Sequence, residues 1–485
     1  MPQGIRFILD GRVRELDGVD PTLMVLDWLR GAERRCGTKE GCREGDCGAC
    51  TVVLAELASG ELRYRAVNAC ILFLPALDGK ALFTVESLSA PGEPLHPVQK
   101  AMVDCHASQC GFCTPGFVMS LVALYETEPL PSRARIDEVL AGNLCRCTGY
   151  RPIVAAAGEA YRDGRGRRLA AVEAELKEKL RSIARRETLE LACGERRLFA
   201  PRDADALAGI LERHPEAQVL AGGTDVGLWV TKQHRELPAL VYLGGVEELS
   251  RAEVKDGHVE VGAAATYTDV LAALQGPIPA LAELVRRIGS QQIRNVGTLV
   301  GNVANASPIG DTLPALVALG SSAVLRRGRE RRELPLDDFF LGYRKTALRP
   351  GEFIERVRVP LPSAATHFGT YKVSKRFDQD ISAVCAGFAV ELERGRVRGA
   401  RLCYGGMAAV PKRARAAEDA LKGKIWDEGA VDSVLPLVDA EFEPLSDMRA
   451  SAVYRRLVAR NLLRKFHIET ATPGRRRAEA VAEGA

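Results

Sequence analysis

The sequence predicts a multidomain protein of the α+β class. The chain has 485 residues, and at about 150 residues per domain this length corresponds to roughly three domains. Apolar residues make up 46% of the chain and charged residues 27%, which is typical of globular domains with hydrophobic cores. Segments with strand periodicity and segments with helical periodicity follow one another in blocks. Strands and helices are therefore expected in successive domains.

The composition excludes several classes of protein. The 67 Lys and Arg residues nearly balance the 63 Asp and Glu residues, for a formal net charge of +4. This charge gives no overall electrostatic footprint for a nucleic-acid partner, so none is expected. A disordered chain, a collagen and a small disulfide scaffold are excluded as well.

The sequence contains no segment that predicts export or membrane insertion. Charged residues interrupt residues 1–10 too early for the apolar core of a signal peptide. The longest uncharged stretches, such as Leu313 to Leu325, are shorter than the ~20 residues needed to cross a bilayer. We therefore expect a cytoplasmic protein with no membrane contact. In that reducing compartment its 13 cysteines are expected to be metal ligands rather than disulfides.

Residues 1–88 have the pattern of a small β-rich domain. Ile5 to Leu9 and Arg12 to Leu16 have strand character, and the Asp-Gly pair between them is typical of a hairpin turn. Pro21 begins a predicted helix. A Gly- and Cys-rich loop separates this helix from a further strand at Thr51 to Leu54.

Residues 89–163 change to helical periodicity and predict a second, helical domain. Apolar residues share one helix face in each of two segments: Val98, Met102 and Cys105, and then Phe117, Leu121 and Leu124. A charged, exposed linker is predicted over residues 164–192. It carries one amphipathic helix with apolar positions Leu169, Val172, Leu176, Leu180 and Ile183.

The second half of the chain predicts two more domains and a tail. Residues 193–365 alternate short strands, helices and Gly-rich turns. Residues 366–472 predict an α+β domain with strands near Val384 to Glu391 and Val397 to Gly405 and a helix over Ser451 to Phe466. Residues 473–485 have no core pattern, and we expect them to be disordered.

Four cysteines have the spacing of a plant-type ferredoxin cluster. They are arranged as C-x4-C-x2-C with a fourth cysteine downstream, at Cys42, Cys47, Cys50 and Cys70. The intervening residues include Gly45 and Gly48, which let the backbone turn tightly and bring its amides near cluster sulfurs. The alternative, four free buried cysteines, is less favoured because of this spacing.

A second set of cysteines comprises Cys110, Cys113, Cys145 and Cys147. From spacing alone, a structural zinc site and an iron–sulfur cluster are equally favoured. The C-x-C pair is unusual for zinc knuckles, and a cluster upstream favours a second redox centre. The remaining cysteines lack ligand spacing and are expected to be buried free thiols: Cys36, Cys105, Cys193, Cys385 and Cys403.

Two Gly-rich segments are candidates for a phosphate-containing cofactor. The chain has neither a G-x-G-x-x-G fingerprint after a strand nor a P-loop. An apolar strand instead leads into Ala221–Gly227, where consecutive glycines let the backbone approach a pyrophosphate. A plain strand–turn–helix remains an alternative for this segment. A second loop runs from Ile288 to Asn302 and leads to Asp311.

Three motifs resemble the molybdenum hydroxylases, the xanthine dehydrogenase and aldehyde oxidase family. They are Gly41–Cys50, Gln109–Gly116 and Asn143–Pro152. The resemblance implies a β-grasp plant-type ferredoxin domain, a four-helix [2Fe–2S] domain, a vanillyl-alcohol-oxidase-like FAD domain and a C-terminal α+β domain. It implies that each set of four cysteines holds a [2Fe–2S] cluster. It also implies that Gln109 hydrogen-bonds the pterin of a molybdenum cofactor.

The same resemblance implies an FAD site. Two loops would cradle the pyrophosphate and adenosine: Val219, Leu220, Ala221, Gly222, Gly223, Thr224, Asp225 and Val226, and Thr298, Leu299, Val300, Gly301 and Asn302. Asp311 would hydrogen-bond ribityl or ribose hydroxyls, Ile354 would touch the ring system and Lys372 would approach the flavin. Ile288 stands where some members have an aromatic residue, and Val300 stands where the family usually has Gly. The segment from Tyr371 to Ile381 resembles the loop that covers the flavin and affects access of NAD⁺.

The resemblance implies an electron-transfer subunit of the xanthine dehydrogenase type. A molybdenum-bearing partner chain, expected in a heterotetramer with two copies of each chain, would oxidise hypoxanthine and xanthine to urate. Electrons would pass through the Cys110 set and then the Cys42 set to FAD and NAD⁺. This chain would contain no catalytic residue for the hydroxylation. The alternatives are a partner that oxidises an aldehyde, an N-heterocycle or CO, a stand-alone NADH-dependent reductase, and a zinc-stabilised scaffold.

Overall fold

The computed structural model describes residues 4–89, 92–162 and 169–471. The expected α+β multidomain class is confirmed. The basic start of the predicted linker and the predicted tail over residues 473–485 lie outside the described residues. In the part of the chain that is described, no helix is both long and apolar enough to cross a membrane.

The N-terminal domain is a five-stranded sheet with one helix. Its elements are β1 (Ile5–Leu9), β2 (Arg12–Leu16), α1 (Val25–Gly31), β3 (Thr51–Ala58), β4 (Glu61–Asn68) and β5 (Ala81–Phe83). The strand order is β2-β1-β5-β3-β4, with β1 and β5 parallel. Asp10 and Gly11 both have positive φ, at 50° and 68°, as a two-residue hairpin turn requires.

Both faces of this sheet are buried, because alternate residues of β1 and β3 belong to different cores. Phe7 and Val52 pack with α1, whereas Ile8 and Val53 pack with the following helices. Those helices are α2 (Pro97–Asp104), α3 (Thr114–Thr127), α4 (Arg133–Leu140) and α5 (Arg151–Glu159). Helix α3 is buried along most of its length, since it lies between β3, β4 and the helices α2 and α4.

The amphipathic helix of the predicted linker is α6 (Glu173–Ile183). Its residues Leu176, Leu180 and Ile183 are buried in the core shared by the first sheet and helices α2–α5. Val172, in contrast, is 45% exposed. Helix α6 therefore forms part of the iron–sulfur half of the structure rather than a free connection.

The third region contains three sheets and eight α-helices. Its strands are β6 (Leu189–Cys193), β7 (Arg196–Ala200), β8 (Gln218–Leu220), β9 (Ala239–Tyr242), β10 (Ala252–Lys255), β11 (His258–Gly262), β12 (Ser322–Arg327), β13 (Glu330–Pro335), β14 (Phe340–Gly342), β15 (Lys345–Thr346) and β16 (Phe353–Pro360). Its helices are α7 (Ala204–Arg213), α8 (Val226–Thr231), α9 (Tyr267–Leu274), α10 (Pro279–Arg286), α11 (Gln291–Arg294), α12 (Leu299–Asn305), α13 (Thr312–Ala318) and α14 (Leu336–Phe339). The sheet orders are β6-β7-β9-β8 and β10-β11-β16-β12-β13, and β14 pairs with β15 in a two-stranded sheet.

The C-terminal region is an antiparallel sheet between two layers of helices. Its elements are β17 (Thr366–Val373), β18 (Val384–Glu393), β19 (Arg396–Gly405), β20 (Lys412–Arg413), α15 (Arg415–Leu421), α16 (Glu428–Glu441) and α17 (Ala452–Ala471). One face packs against α15–α17. The other face packs against α10 and α13 of the preceding region, so the last two regions share a core.

The five cysteines without ligand spacing are not all buried. Cys385 and Cys403 are buried, Cys105 and Cys193 are half-buried, and Cys36 is exposed. The expectation of a buried thiol is therefore wrong at Cys36, which lies at the surface of the loop that follows α1.

Gly387 of β18 supplies a test of the contact between the last two regions. A Cβ atom there would lie 2.5 Å from Ala315 Cα and 2.7 Å from Pro314 O. We expect Gly387→Ala to lower the free energy of unfolding by about 1–3 kcal/mol, because backbone atoms of α13 must move. Gly399→Ala in the same sheet meets no atom within 4 Å and should change it by less than about 0.5 kcal/mol. Urea unfolding followed by fluorescence measures both; equal effects would contradict the packing described.

Candidate cofactor sites

The first cysteine loop presents its amides to the sulfur atoms. The N–H groups of Glu44, Asp46 and Cys47 donate to Cys42 Sγ at 3.4, 3.3 and 3.3 Å. The N–H of Cys42 donates to Cys47 Sγ at 3.3 Å. Such donors stabilise negative charge on sulfur, as an anionic cluster requires.

The four thiols of the first set form two pairs, and a third contact joins the pairs. Cys42 contacts Cys47, and Cys50 contacts Cys70; Cys70 also contacts Cys42. Hydrogen bonds from the thiols of Cys47 and Cys70 lower the pKa of Cys42, whereas donation to Cys42 raises the pKa of Cys47. A [2Fe–2S] cluster takes four cysteine thiolates, two at each iron, so this donor set fits the cluster.

The second set of cysteines also forms two pairs. Cys113 contacts Cys145, and Cys110 contacts Cys147. Burial, together with the contact to Cys145, raises the pKa of Cys113 to about 12. At Cys145 burial opposes ionisation, but hydrogen bonds from Thr148 and from backbone amides lower the pKa. This all-thiol set of two pairs fits a second [2Fe–2S] cluster.

The two sets are not arranged around single points. Over residues 4–89, 92–162 and 169–471, no group of three or more His, Cys, Asp or Glu side chains is placed to hold one metal ion. At both cysteine sets the thiols instead contact one another in pairs.

The two cysteine loops contact each other through their backbones. The N–H of Leu144 donates to the carbonyl of Cys47 at 3.0 Å. The side-chain amide of Asn143 donates to Gly48 O, also at 3.0 Å. Leu144 precedes Cys145, so a single hydrogen bond joins a cysteine of the first set to the residue just before a cysteine of the second set.

The second set opens at the surface, whereas part of the first is buried. Cys110 and Cys147 are exposed, but Cys50 and Cys70 are buried. Gln109, the predicted pterin contact, is exposed beside Cys110. Large apolar side chains are also exposed around this opening: Phe112 at 48%, Leu144 at 40% and Tyr150 at 38%.

The first flavin loop, residues 221–225, connects β8 to α8. Gly222 lies so close to the second flavin segment that a Cβ would be 1.8 Å from Val296 O. Gly223 has φ +73°, and a Cβ there would be 2.9 Å from Ile71 O. Because Ile71 follows Cys70, this loop lies directly against the first cysteine set.

The residues that flank this loop divide between two cores. Val219 packs against the core of the third region, whereas Leu220 and Val226 pack with Cys70 and Ile71. Ala221, Thr224 and Asp225 are half-buried, and Asp225 Oδ2 accepts a hydrogen bond from Trp229 at 3.1 Å.

The second flavin loop begins α12. The Thr298 hydroxyl accepts from the N–H of Gly301 at 3.0 Å. Leu299 and Val300 are buried in the core. Asn302 Oδ1 accepts from the Thr312 hydroxyl at 2.6 Å. The extra side chain of Val300 is therefore accommodated by core packing.

Polar groups converge where the flavin is predicted. Lys372 Nζ donates to Asp311 and to Ser382 Oγ at 3.2 Å, and Ser382 donates to Asp311 at 2.6 Å. Ile354 is buried on β16 and Ile288 is half-buried. Ser382 lies one residue beyond the segment from Tyr371 to Ile381, and no motif in the sequence marks it as a flavin-site residue.

One buried hydroxyl in this region makes no hydrogen bond of good geometry among the described residues, and its polar neighbour is the Thr312 hydroxyl. The buried hydroxyl belongs to Tyr267, which is 4% exposed and lies beside Thr312 and Asp311. Burial raises the pKa of Tyr267, so the hydroxyl remains a donor. A buried donor without a good hydrogen bond costs free energy, and FAD carries many acceptor oxygens, so this group fits an FAD site. No sequence signal distinguished Tyr267 from a core aromatic residue.

The predicted flavin-covering segment also contacts the helical domain. The guanidinium of Arg287 lies 4.3 Å from the centre of the Phe377 ring and donates to Phe377 O at 3.3 Å. Gln379 Nε2 donates to Ala141 O at 2.5 Å. The segment therefore spans the space between the flavin region and the second cysteine loop.

Four known domain families match successive parts of the chain. They are described as a 2Fe-2S iron-sulfur cluster binding domain (residues 7–74), a [2Fe-2S] binding domain (84–158), an FAD binding domain in molybdopterin dehydrogenase (194–362) and a CO dehydrogenase flavoprotein C-terminal domain (369–470). The expected ferredoxin-type, helical [2Fe–2S] and FAD domains are thereby confirmed.

Two longer proteins are similar to nearly the whole of this chain. Xanthine dehydrogenase of Emericella nidulans is 34% identical over 524 residues, covering 96% of this chain and 38% of that protein. Xanthine dehydrogenase/oxidase of Gallus gallus is 29% identical and covers 95% of this chain and 40% of that protein. The chain thus spans about two fifths of these relatives.

Solved structures resemble the flavin half. Carbon monoxide dehydrogenase from Hydrogenophaga pseudoflava matches with TM-score 0.53 and 27% identity, over 55% of this chain and 94% of that chain. Quinoline 2-oxidoreductase from Pseudomonas putida 86 matches with TM-score 0.52 and 26% identity, over 56% and 95%.

Replacement of a buried cysteine tests the first cluster site. Two [2Fe–2S] clusters correspond to about four iron atoms per chain. We expect Cys50→Ser to reduce the iron content to about two, because one thiolate pair is broken. Cys36→Ser replaces an exposed cysteine of the same N-terminal domain and should leave the iron content unchanged. Iron analysis of the purified proteins decides; iron loss from both variants, or from neither, would contradict the assignment.

Proposed function

Since the chain belongs to the molybdenum hydroxylase family and carries its iron–sulfur and FAD domains, we propose that it is the electron-transfer part of an NAD⁺-dependent xanthine dehydrogenase. It would receive electrons from a molybdenum cofactor on a partner chain, in the oxidation of hypoxanthine and xanthine to urate. We place this reaction in the cytoplasm, where thiols remain reduced. The hydroxylation itself would use no catalytic residue of this chain.

The observation that supports the proposal is a continuous set of contacts from the surface to the flavin region. Cys145 follows Leu144, whose N–H donates to Cys47 O. Cys70 of the first set precedes Ile71, which lies against Gly223 of the flavin loop. When bound, the clusters carry single electrons and FAD collects two for a hydride acceptor. The protein's part is to hold these sites in contact and in this order.

The exposed opening at the second cysteine set supports the partner. The exposed side chains beside Cys110 and Cys147 are apolar: Phe112, Leu144 and Tyr150. Exposed apolar patches of this kind mark protein interfaces. Gln109 is exposed beside Cys110, and we propose that it donates to a pterin oxygen or nitrogen on the partner. We propose a heterotetramer with two copies of each chain.

Lys372 and its neighbours support a role at the flavin. Lys372 is almost fully buried, and Asp311 neutralises its charge. The hydrogen bonds among Lys372, Asp311 and Ser382 fix these polar groups in place. Asp311 and Lys372 are the two of them that are predicted to contact FAD. We propose that NAD⁺ reaches this site beside the segment from Tyr371 to Ile381.

A second candidate is another enzyme of the same family. The flavin half resembles carbon monoxide dehydrogenase and quinoline 2-oxidoreductase, so the substrate of the partner chain in this second candidate is CO or an N-heterocycle. An aldehyde is the other alternative substrate. A stand-alone NADH-dependent iron–sulfur flavoprotein is a third candidate. It differs from the others because it needs no partner chain.

Purification of the native protein tests the proposal. The expected result is a co-purifying chain that contains molybdenum, together with hypoxanthine-dependent NADH formation measured by absorbance. Turnover of an aldehyde, CO or quinoline, but of no purine, would overturn the xanthine assignment. Elution without any second chain, combined with NADH oxidation, would favour the stand-alone reductase.

The proposed order of the centres is tested by Cys113→Ser. Loss of the second cluster should abolish NAD⁺ reduction driven by the substrate, because that cluster lies between the partner and the first set. Oxidation of NADH at the flavin with an artificial acceptor should continue at a rate close to wild type. Circular dichroism controls for folding. Loss of both activities in a folded variant would contradict the order.

A further inference from the structure

One short segment of the flavin domain inserts between the two iron–sulfur domains. This wedge segment is Ser290–Asn295, which contains α11. It is preceded by Ile288, a predicted flavin contact, and followed by Thr298, where the second flavin loop begins. The Ser290 hydroxyl caps the segment by accepting from the N–H of Ile293 at 3.2 Å.

At the centre of the wedge segment, Gln292 is fully buried and bonds to both iron–sulfur domains. Its Nε2 lies 3.3 Å from Thr51 Oγ1, 3.0 Å from Ser120 Oγ and 3.1 Å from Asn143 Oδ1. Thr51 follows the ligand Cys50, and Asn143 lies two residues before the ligand Cys145. One side chain therefore joins residues beside both cysteine sets.

The space around this amide is fully occupied. A Cβ at Gly142 would lie 2.0 Å from Gln292 Oε1, so the backbone of the helical domain rests directly on the side chain. All three partner residues are buried. An apolar replacement would remove the donor that these three buried acceptor atoms share. They would keep only the hydrogen bonds among themselves and to Gly48 O, and loss of a buried donor is costly.

The other residues of the wedge segment also contact residues of the two iron–sulfur domains. Arg294 donates to Glu138 at 2.8 Å, and Asn295 Nδ2 donates to Ala66 O at 2.8 Å. The contacts on either side of Gln292 are equally close: Gln291 accepts from Arg135 at 3.0 Å, and Ile293 Cδ1 lies 3.0 Å from the Cβ position of Gly45. Every residue from 291 to 295 thus contacts the ferredoxin-type or helical domain.

The segment is connected just as closely to the flavin loops. Val296 O packs on Gly222. A Cβ atom on Gly297 would lie 3.3 Å from Thr224 Oγ1. Gly297 O accepts from the N–H of Tyr267 at 2.8 Å, the residue whose hydroxyl makes no hydrogen bond of good geometry among the described residues. A displacement of the wedge segment would therefore move backbone atoms of the flavin loop.

We propose that the wedge segment couples FAD binding to the position of both cysteine loops, with Gln292 as the positioning residue. This inference rests on the proposed function, since it requires FAD and the clusters to bind where they are placed above. If docking of the wedge orders the flavin loops, bound FAD must stabilise the docked wedge by the same factor, because coupling free energies are reciprocal.

The first test compares Gln292→Leu with Gln275→Leu in the full chain. Gln275 is exposed in the same domain and supplies a matched change at a surface position. We expect Gln292→Leu to weaken FAD binding by about 5- to 150-fold, the usual range of such coupling, as measured by flavin fluorescence. The paramagnetic signals of both reduced clusters should shift as well. The Gln275 variant should match wild type in both measurements.

A lower melting temperature with unchanged FAD affinity and unchanged cluster signals would overturn the proposal, because Gln292 would then be only a stabilising residue. A second measurement needs no variant. Wild-type protein depleted of FAD should show faster amide hydrogen exchange at residues 47–51 and 141–145 than FAD-loaded protein. Equal exchange at those residues would also overturn the proposal.

The two hypotheses fail in different ways. Wild-type protein that binds neither FAD nor iron would refute the proposed function. Wild-type protein that binds both, but whose FAD affinity does not depend on Gln292 and whose cysteine loops do not respond to FAD, would refute only the coupling.

Discussion

The arrangement of the whole molecule depends on the close approach of three backbones at Gly48, Gly116 and Gly142. A Cβ on Gly48 would lie 2.1 Å from Gly142 O, and one on Gly116 would lie 2.2 Å from Gly48 O. Gly142 in turn lies against Gln292 of the flavin domain. Because no side chain separates these backbones, the two cysteine loops can hydrogen-bond directly and the wedge segment can reach both. A larger residue at any of the three positions would push the ligand loops apart.

Local features of the sequence predicted the ligand sets and the order of the domains. The spacing of the cysteines determines which thiols can surround a cluster, so Cys42, Cys47, Cys50 and Cys70 could be grouped without knowledge of the fold. Contacts between distant parts of the chain carried no such signal. Gln292 and Thr51 are separated by 241 positions, and Gln292 looked like a polar loop residue. The same reason explains why Tyr267 was not recognised beside the flavin loops.

The near-zero net charge conceals a set of ion pairs between domains. Arg65 of β4 pairs with Asp269 of α9 at 3.0 Å, and Arg294 pairs with Glu138 at 2.8 Å. Burial tends to raise the pKa of Asp269, but Arg65 and Arg63 beside it lower the pKa below its usual value. The pair therefore stabilises the docked domains above the ordinary carboxyl pKa, and that contribution falls as acidification protonates the folded carboxylate. Because burial opposes the ionised form, such a pair adds less stability than the attraction between its charges alone would give.

Burial increases along the line of sites from the proposed partner surface to the flavin. In the second set Cys110 and Cys147 are exposed and Cys113 and Cys145 are half-buried; in the first set Cys42 and Cys47 are half-buried and Cys50 and Cys70 are buried. A site that receives electrons from another chain must lie at the surface, because transfer requires close approach. A site between that surface and the flavin has no such need, and solvent exposure there would only open a route for electron loss to small oxidants. The direction of transfer proposed above is thus the one in which only the entry site must contact a second protein.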